Sequence, residues 1–151
     1  ADMVSGRVMV MTTTNGTRAI LRARDAKQLL IGSLLNASAV AQAARSCGEN
    51  IAIICAGTYG KFSLDDILCA GAIISRILEI DGKQYLDDLA RTALTLYDSY
   101  KDDLRAPLAG CAHVQRLKAL GMEKDIDFCL QEDIMDVVPC YLDGVIRNAY
   151  A

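Results

Sequence analysis

One stretch near the start of the chain combines the residue types that bind an anion. Residues 12–18 read T-T-T-N-G-T-R, which brings together hydroxyl groups, a turn-forming Asn-Gly pair and an arginine. We predict that a helix begins in this stretch, where free backbone N–H groups and the helix dipole attract negative charge. The candidate ligands of an anionic group are Thr14, Asn15, Gly16, Thr17 and Arg18.

The same stretch also has a purely structural interpretation. Asn-Gly is a strong turn dipeptide, and threonine is a common helix cap that contributes about 1 kcal/mol. Arg18 either turns inward and makes charge-assisted bonds to the anion, or lies on the surface in the first turn of the helix. The residues by themselves leave these alternatives open.

A second polar stretch, residues 57–66, reads G-T-Y-G-K-F-S-L-D-D and ends in adjacent carboxylates. Gly57 and Thr58 are further candidate ligands of the anion. Asp65 and Asp66 are candidate ligands of Mg²⁺. This ion usually binds one or two carboxylates of the protein and coordinates the phosphate of a substrate at its remaining positions. We therefore expect a metal ion beside the anion.

The acidic pair has a structural alternative too. Ser63 and Asp66 have the S-x-x-D spacing of a helix capping box, which would explain Asp66 without any function. The stretch lacks the G-x-x-x-x-G-K-[ST] spacing of a phosphate loop, so its lysine does not indicate an ATPase of that class.

Other hydrolytic sites do not fit by spacing. None of the six cysteines starts a C-x5-R loop, and no G-x-S-x-G elbow supports a serine triad. Asp125 and Asp127 form a D-x-D pair, but residues 121–124 before it are not a hydrophobic strand, so we interpret the pair as a solvated face. His113, which is the only histidine, is interpreted as structural or as a helix cap.

Apolar runs precede both polar stretches. Residues 7–13, 28–32 and 51–56 lack polar alternation, as do strands that are covered on both faces of a parallel sheet. Ligands in such sheets bind outside the carboxyl ends of the strands. We therefore expect the two polar stretches, and Asn36 after the second run, to lie along one edge.

Helical patterns alternate with these runs. They extend from Asn36 to Gly48, from Ser63 to the Asp81-Gly82 turn, over residues 84–100 and over residues 110–120, and residues 137–141 form a short final strand. This order predicts a single α/β domain over residues 1–151 with a mainly parallel sheet and helices on both faces.

Composition narrows the classes of function. The 151 residues are 52% hydrophobic and carry a net charge of −3, with no long block of either sign that would bind a nucleic acid or an anionic membrane. The six cysteines form no C-x-x-C pair, so we interpret them as buried, reduced thiols. No apolar stretch is long enough to span a membrane. We expect a soluble, cytoplasmic protein.

Three segments together resemble the 2-phosphosulfolactate phosphatase family. They are Met11 to Ile20, Ile31 to Asn36 and Cys55 to Asp66, in this order and spacing. Leu120-Gly121, Lys124-Asp125, Cys129 and Val138-Pro139 are also similar to the C-terminal region of that family, so the resemblance covers nearly the whole chain.

The resemblance implies a three-layer α/β/α fold built from two similar halves. It also implies Mg²⁺-dependent hydrolysis of 2-phospho-3-sulfolactate to sulfolactate, a step toward coenzyme M, or hydrolysis of another small anionic phosphate ester. The Asp-x-x-Arg-Ala-Thr and Gly-Glu-Arg motifs of the N-terminal region in this family are absent from the sequence.

We therefore expect this chain to be the C-terminal part of a longer enzyme, with only part of the catalytic apparatus. The alternative is a non-catalytic anion-binding or interface domain of such an enzyme. Apolar surface left open by a missing half would favour self-association, so we also expect a homo-oligomer.

Overall fold

The computed structural model describes residue 6, residues 13–48 and residues 50–149. Seven α-helices, one 3-10 helix and three short strands make up the described part of the chain, so its class is α/β. The elements are α1 (Gly16–Ala23), β1 (Leu29–Leu30), a 3-10 helix (Leu34–Asn36), α2 (Ala37–Ser46), α3 (Leu64–Asp81), α4 (Asp88–Tyr100), α5 (Arg105–Leu108), α6 (Ala112–Ala119), α7 (Glu123–Cys129), β2 (Pro139–Leu142) and β3 (Val145–Asn148).

Helix α3 is the centre of the fold. Ser63 precedes it in an extended conformation, and the helix ends at Gly82, whose φ of 73° suits glycine. Both ends agree with the sequence prediction. Leu68, Ala72 and other apolar residues at helical spacing are buried in its core cluster, because their stripe meets α2, α4 and α6.

Helix α4 lies very close to α3. A Cβ atom at Gly71 would be 2.2 Å from the carbonyl oxygen of Ala93 and 2.5 Å from Cβ of Tyr97, so this crossing requires glycine. The sequence predicts that helix α4 begins at residue 84, but the helix begins at Asp88. The Asp87 carboxylate caps it there, because it accepts a hydrogen bond from the Ala90 N–H at 2.7 Å.

The described strands form one small antiparallel sheet in the order β1-β2-β3. Leu30 pairs with Cys140, and Cys140 pairs with Arg147. The turn between β2 and β3 contains Asp143 and Gly144, both with positive φ, as in the two-residue turns that suit the twist of a hairpin.

The predicted strands have different outcomes. The run at 28–32 contains the two-residue strand β1, and the run at 137–141 overlaps β2. The prediction of a strand at 51–56 is wrong within the described chain, where this segment pairs with no strand. An apolar run without polar alternation indicates burial on both faces, but it does not show which strand, if any, pairs with the segment. Except for Thr13, the run at 7–13 lies outside the described residues.

A polar cluster, here called the Arg76 network, joins the segment after α7 to the helical core. The Arg76 guanidinium meets Glu132 at 3.1 Å and Asp133 at 3.0 Å, and the Tyr97 hydroxyl donates to Glu132 at 2.6 Å. The other oxygen of Asp133 accepts from the Ser38 N–H at 2.6 Å. The network therefore holds three helices and one loop together.

The pKa shifts in the Arg76 network follow from these contacts. Burial, together with the adjacent Glu132 carboxylate, raises the pKa of Tyr97 to about 12. Desolvation opposes ionisation of Asp133, but the bonds from Ser38 and Arg76 outweigh it and lower the pKa of that carboxyl. Tyr97 is therefore neutral and Asp133 is ionised at neutral pH.

All six cysteines are free thiols, as expected. The expectation that they are buried is wrong for Cys55 and Cys129, which are exposed, and the other four are only partly buried. Asp125 and Asp127 lie exposed on α7, in agreement with their interpretation as a solvated face. Among the described residues, none of the helices is long and apolar enough to cross a membrane.

Candidate functional site

The start of α1 is held by a pair of threonines. The Thr17 N–H donates to Oγ1 of Thr13 at 3.0 Å, the Thr13 N–H donates to Oγ1 of Thr17 at 3.3 Å, and the two hydroxyl oxygens are 3.1 Å apart. The predicted helix therefore begins here, at Gly16. Thr14 and Arg18 are exposed beside this first turn.

Residues 58–61 form a tight hairpin beside the predicted metal ligands. The N–H groups of Thr58 and Lys61 donate to each other's carbonyl oxygen, both at 3.0 Å. Tyr59 and Gly60, between them, have φ of 53° and 75°, as the two-residue turn requires. Gly57 has a φ of 70°, and a Cβ atom there would be 2.5 Å from the Lys61 carbonyl oxygen, so no larger residue fits.

The acidic pair opens helix α3 and faces this hairpin. Asp66 accepts a hydrogen bond from the Gly57 N–H at 2.5 Å, and Asp65 accepts one from the Ser63 hydroxyl. The Ser63 hydroxyl is also 2.9 Å from the Thr58 hydroxyl. The capping-box interpretation of Ser63 and Asp66 is wrong, since Asp66 bonds to Gly57 and Ser63 makes no capping bond.

The charge of Asp66 is costly where it lies. Burial and the adjacent Asp65 charge raise the pKa of its carboxyl, and burial is the larger of these two causes. The hydrogen bond from Gly57 and the interaction with His113 lower this pKa, but the net shift is upward. A carboxylate in this condition gains from an additional positive charge.

One hydrogen bond joins the two polar stretches. The backbone N–H of Tyr59 donates to Oδ1 of Asn15 at 3.2 Å, a contact that we call the Asn15–Tyr59 junction. It places the N-terminus of α1 against the hairpin that contacts Asp66. The structure thus brings together two of the three stretches that the sequence predicts to share an edge.

Asn36, the third predicted position, is used inside the fold. Its Oδ1 accepts from the N–H and the hydroxyl of Ser33, at 2.8 and 3.0 Å. Its Nδ2 donates to the carbonyl oxygens of Ile31 and Val137, at 3.3 and 2.8 Å. The buried amide therefore ties the 3-10 helix to the segment that precedes β2, and no described bond joins it to the Asn15–Tyr59 junction.

Helix α6 adds residues that the sequence analysis did not include in the site. Burial and the charge of Asp65 raise the pKa of Cys111, which immediately precedes α6. His113 interacts electrostatically with Asp66, and Arg116 donates to the Tyr59 hydroxyl. The sequence could have grouped His113 with Arg116, because residues three apart on a helix share one face.

The acidic pair matches part of a Mg²⁺ site. Within the described residues, no group of three His, Cys, Asp or Glu side chains is arranged to hold a metal ion. Mg²⁺ commonly binds through one or two carboxylates together with water and substrate phosphate oxygens. The donor set at Asp65 and Asp66 therefore fits a metal shared with a phosphate, but not a metal enclosed by protein ligands alone.

Comparison with known proteins identifies the family. Residues 1–144 match the family described as 2-phosphosulpholactate phosphatase. The chain belongs to this family.

Relatives named "Probable 2-phosphosulfolactate phosphatase" agree with that assignment. The protein from Clostridium acetobutylicum is 41% identical over 145 residues, which are 96% of this chain and 61% of that protein. The relative from Caldanaerobacter subterraneus is 40% identical over 98% of this chain and 61% of its own length, and the one from Clostridium tetani is 40% identical over 97% and 62%. The chain thus spans about three fifths of these relatives.

Proposed function

We propose that this chain forms the anion-holding part of a phosphatase that hydrolyses a small anionic phosphate ester, with 2-phospho-3-sulfolactate as the expected substrate. The observation that carries the proposal is the Asn15–Tyr59 junction, which joins the N-terminus of α1 to the hairpin next to Gly57, whose N–H bonds to Asp66. The names of the relatives support phosphate ester hydrolysis, and membership of the family supports the choice of substrate.

The residues of the α1 turn would bind the phosphate or another anionic group of the substrate. The Thr17 N–H already donates to Thr13. The other N–H groups at the start of α1 and the side chains of Thr14, Asn15 and Thr17 offer hydrogen bonds, and the exposed Arg18 adds charge-assisted bonds when it turns inward. Gly57 keeps the hairpin closed and leaves Thr58 beside Ser63 at the same edge.

Asp65 and Asp66 would hold Mg²⁺ through their carboxylate oxygens. A bound Mg²⁺ neutralises phosphate charge and increases the acidity of a coordinated water. The raised pKa of Asp66, caused first by burial, is consistent with a carboxylate that needs a cation as partner.

We also propose four further features that the resemblance to the family implies. They are the three-layer fold with a mainly parallel sheet, the role in coenzyme M biosynthesis, the cytoplasmic location and a homo-oligomeric state. The exposed apolar segment 51–56 supports further strand pairing or self-association, because Ile53 and Ile54 are 38% and 55% exposed.

The test is phosphate release from a panel of small phosphate esters that includes 2-phosphosulfolactate, with and without Mg²⁺. A double variant, Thr14→Ala with Arg18→Ala, is compared with Arg22→Ala, which removes an exposed arginine from the far end of α1. Mg²⁺-dependent release, by this chain or by a longer enzyme that contains it, should be lost in the double variant and retained in Arg22→Ala. Equal activity in all three proteins would refute the assignment of the α1 turn.

The second candidate function is that of a non-catalytic anion-binding or interface domain. The open segment 51–56 favours it, because an exposed apolar segment without a strand partner in the described chain is suited to pairing with another strand. Binding of sulfolactate without turnover of any ester in the panel would support this function over catalysis by the chain alone.

A further inference from the structure

Helix α6 is anchored by its apolar side. Val114 is buried, and Leu117 packs against the same cluster as Leu68 of α3. His113 and Arg116 lie one residue before these anchors, at the same spacing of three, and so they share a neighbouring face. That face is the one whose side chains interact with Asp66 and Tyr59.

Arg116 is linked to the α1 turn by two hydrogen bonds. Its guanidinium donates to the Tyr59 hydroxyl, and the Tyr59 backbone N–H donates to Asn15. The guanidinium and the α1 turn are therefore separated by one tyrosine side chain. Their positions are therefore coupled through this residue.

No carboxylate in the described part of the chain pairs with the charge of Arg116. Within the described residues, its bond goes to a neutral hydroxyl and no ion pair involves it. Its partner Tyr59 is 66% exposed, so the pair is open to a ligand. A guanidinium has a planar fork of N–H donors that suits a carboxylate or a sulfonate.

We propose that Arg116 and Tyr59 form a second anion subsite, which binds a carboxylate or sulfonate group of the substrate while the α1 turn and the acidic pair serve the phosphate. This inference rests on the proposed function, and it deepens it by naming the residues that bind the carboxylate or sulfonate of that substrate.

The test is calorimetric binding of sulfolactate, which has both acidic groups but no phosphate, compared with inorganic phosphate. Arg116→Gln removes the charge, Tyr59→Phe removes only the hydroxyl, and Lys118→Gln is the control because Lys118 is an exposed cation of the same helix. Far-ultraviolet circular dichroism verifies the fold of each variant.

We expect Arg116→Gln to weaken sulfolactate binding roughly tenfold to a hundredfold, the usual effect of losing a charge-assisted pair, and to change phosphate binding by less than about threefold. Tyr59→Phe should weaken sulfolactate binding by a smaller factor, and Lys118→Gln should leave it unchanged. Lactate carries only a carboxylate, and isethionate carries only a sulfonate. The compound whose binding Arg116→Gln weakens more identifies the group that occupies the subsite.

Three results would overturn the inference. They are failure of the wild-type chain to bind sulfolactate, an equal loss for sulfolactate and phosphate in Arg116→Gln, and no loss for either ligand. Phosphate release is measured in parallel to separate the two proposals. Arg116-dependent sulfolactate binding without any release would contradict catalysis by this chain and would leave the second subsite supported.

Discussion

The Arg76 network and the Asn15–Tyr59 junction with Arg116 use similar residues in different ways. Each contains an arginine that donates a hydrogen bond to a tyrosine or lies in the same bonded cluster as a tyrosine. In the Arg76 network the guanidinium meets Glu132 and Asp133, whereas Arg116 meets only a neutral hydroxyl among the described residues. Charged clusters alone therefore do not distinguish a structural site from a binding site. The difference lies in whether the fold itself supplies the partners.

The largest effect should come from the helical core that the Arg76 network closes. Gly71→Val places a side chain where even a Cβ atom would be 2.2 Å from the Ala93 carbonyl oxygen, so α3 and α4 must separate. We expect a loss of about 3 kcal/mol or more in the free energy of unfolding, measured with urea. Gly110→Ala is the matched control, since nothing lies within 4 Å of its Cβ position; similar losses in both variants would contradict the close crossing.

A smaller loss should follow from removing one charge of the Arg76 network. Asp133→Asn removes the ion pair with Arg76 and should cost about 1 to 2 kcal/mol at pH 7. Because the pKa of Asp133 is lowered by folding, its contribution is complete above the ordinary aspartate pKa and disappears as pH falls through the folded-state pKa. Urea titrations should therefore converge for wild type and variant in acid. Asp136→Asn, at an exposed carboxylate, is the control, and a gap that stays constant with pH would refute the assignment.

At the hairpin, stability should change less than ligand binding. Gly57→Ala combines a positive φ with a Cβ atom 2.5 Å from the Lys61 carbonyl oxygen, and it shifts the N–H that bonds to Asp66. We expect a cost of about 1 to 2 kcal/mol in stability, together with a loss of phosphate binding in the presence of Mg²⁺. Gly60→Ala has a similar φ but open space around its Cβ position, so it should retain phosphate binding. If both variants bind phosphate equally well, Gly57 is not part of the phosphate site.

The smallest effect on stability should come from the open segment 51–56. Ile54→Lys exchanges an exposed apolar side chain for a charge and should change the free energy of unfolding by less than about 0.5 kcal/mol. If this segment mediates self-association, light scattering should show a lower mass for the variant than for wild type at the same concentration. Leu21→Lys, at an exposed leucine of α1, is the control. An unchanged mass for Ile54→Lys would exclude the segment from the interface.

Several helices were predictable because local residues specify where they begin and end. Ser63 and Gly82 bound α3, and the pattern after Asn36 predicted α2. The start of α4 was missed by four residues, since the apolar pattern extends past the Asp87 cap. Strand pairing was less predictable because it depends on distant residues: β1 pairs with β2, more than a hundred residues later in the sequence.

For this protein, the sequence by itself determined the family, the main helices and the two stretches that meet at the Asn15–Tyr59 junction. These follow from motifs, caps and apolar periodicity, which act over a few residues. Only the tertiary structure decided that Asp66 bonds to Gly57 and not to its own helix end, that Asn36 is used internally, and that Arg116 reaches Tyr59. Each of these outcomes depends on which elements pack side by side, and long-range packing outweighs local preference wherever a distant partner satisfies a polar group better.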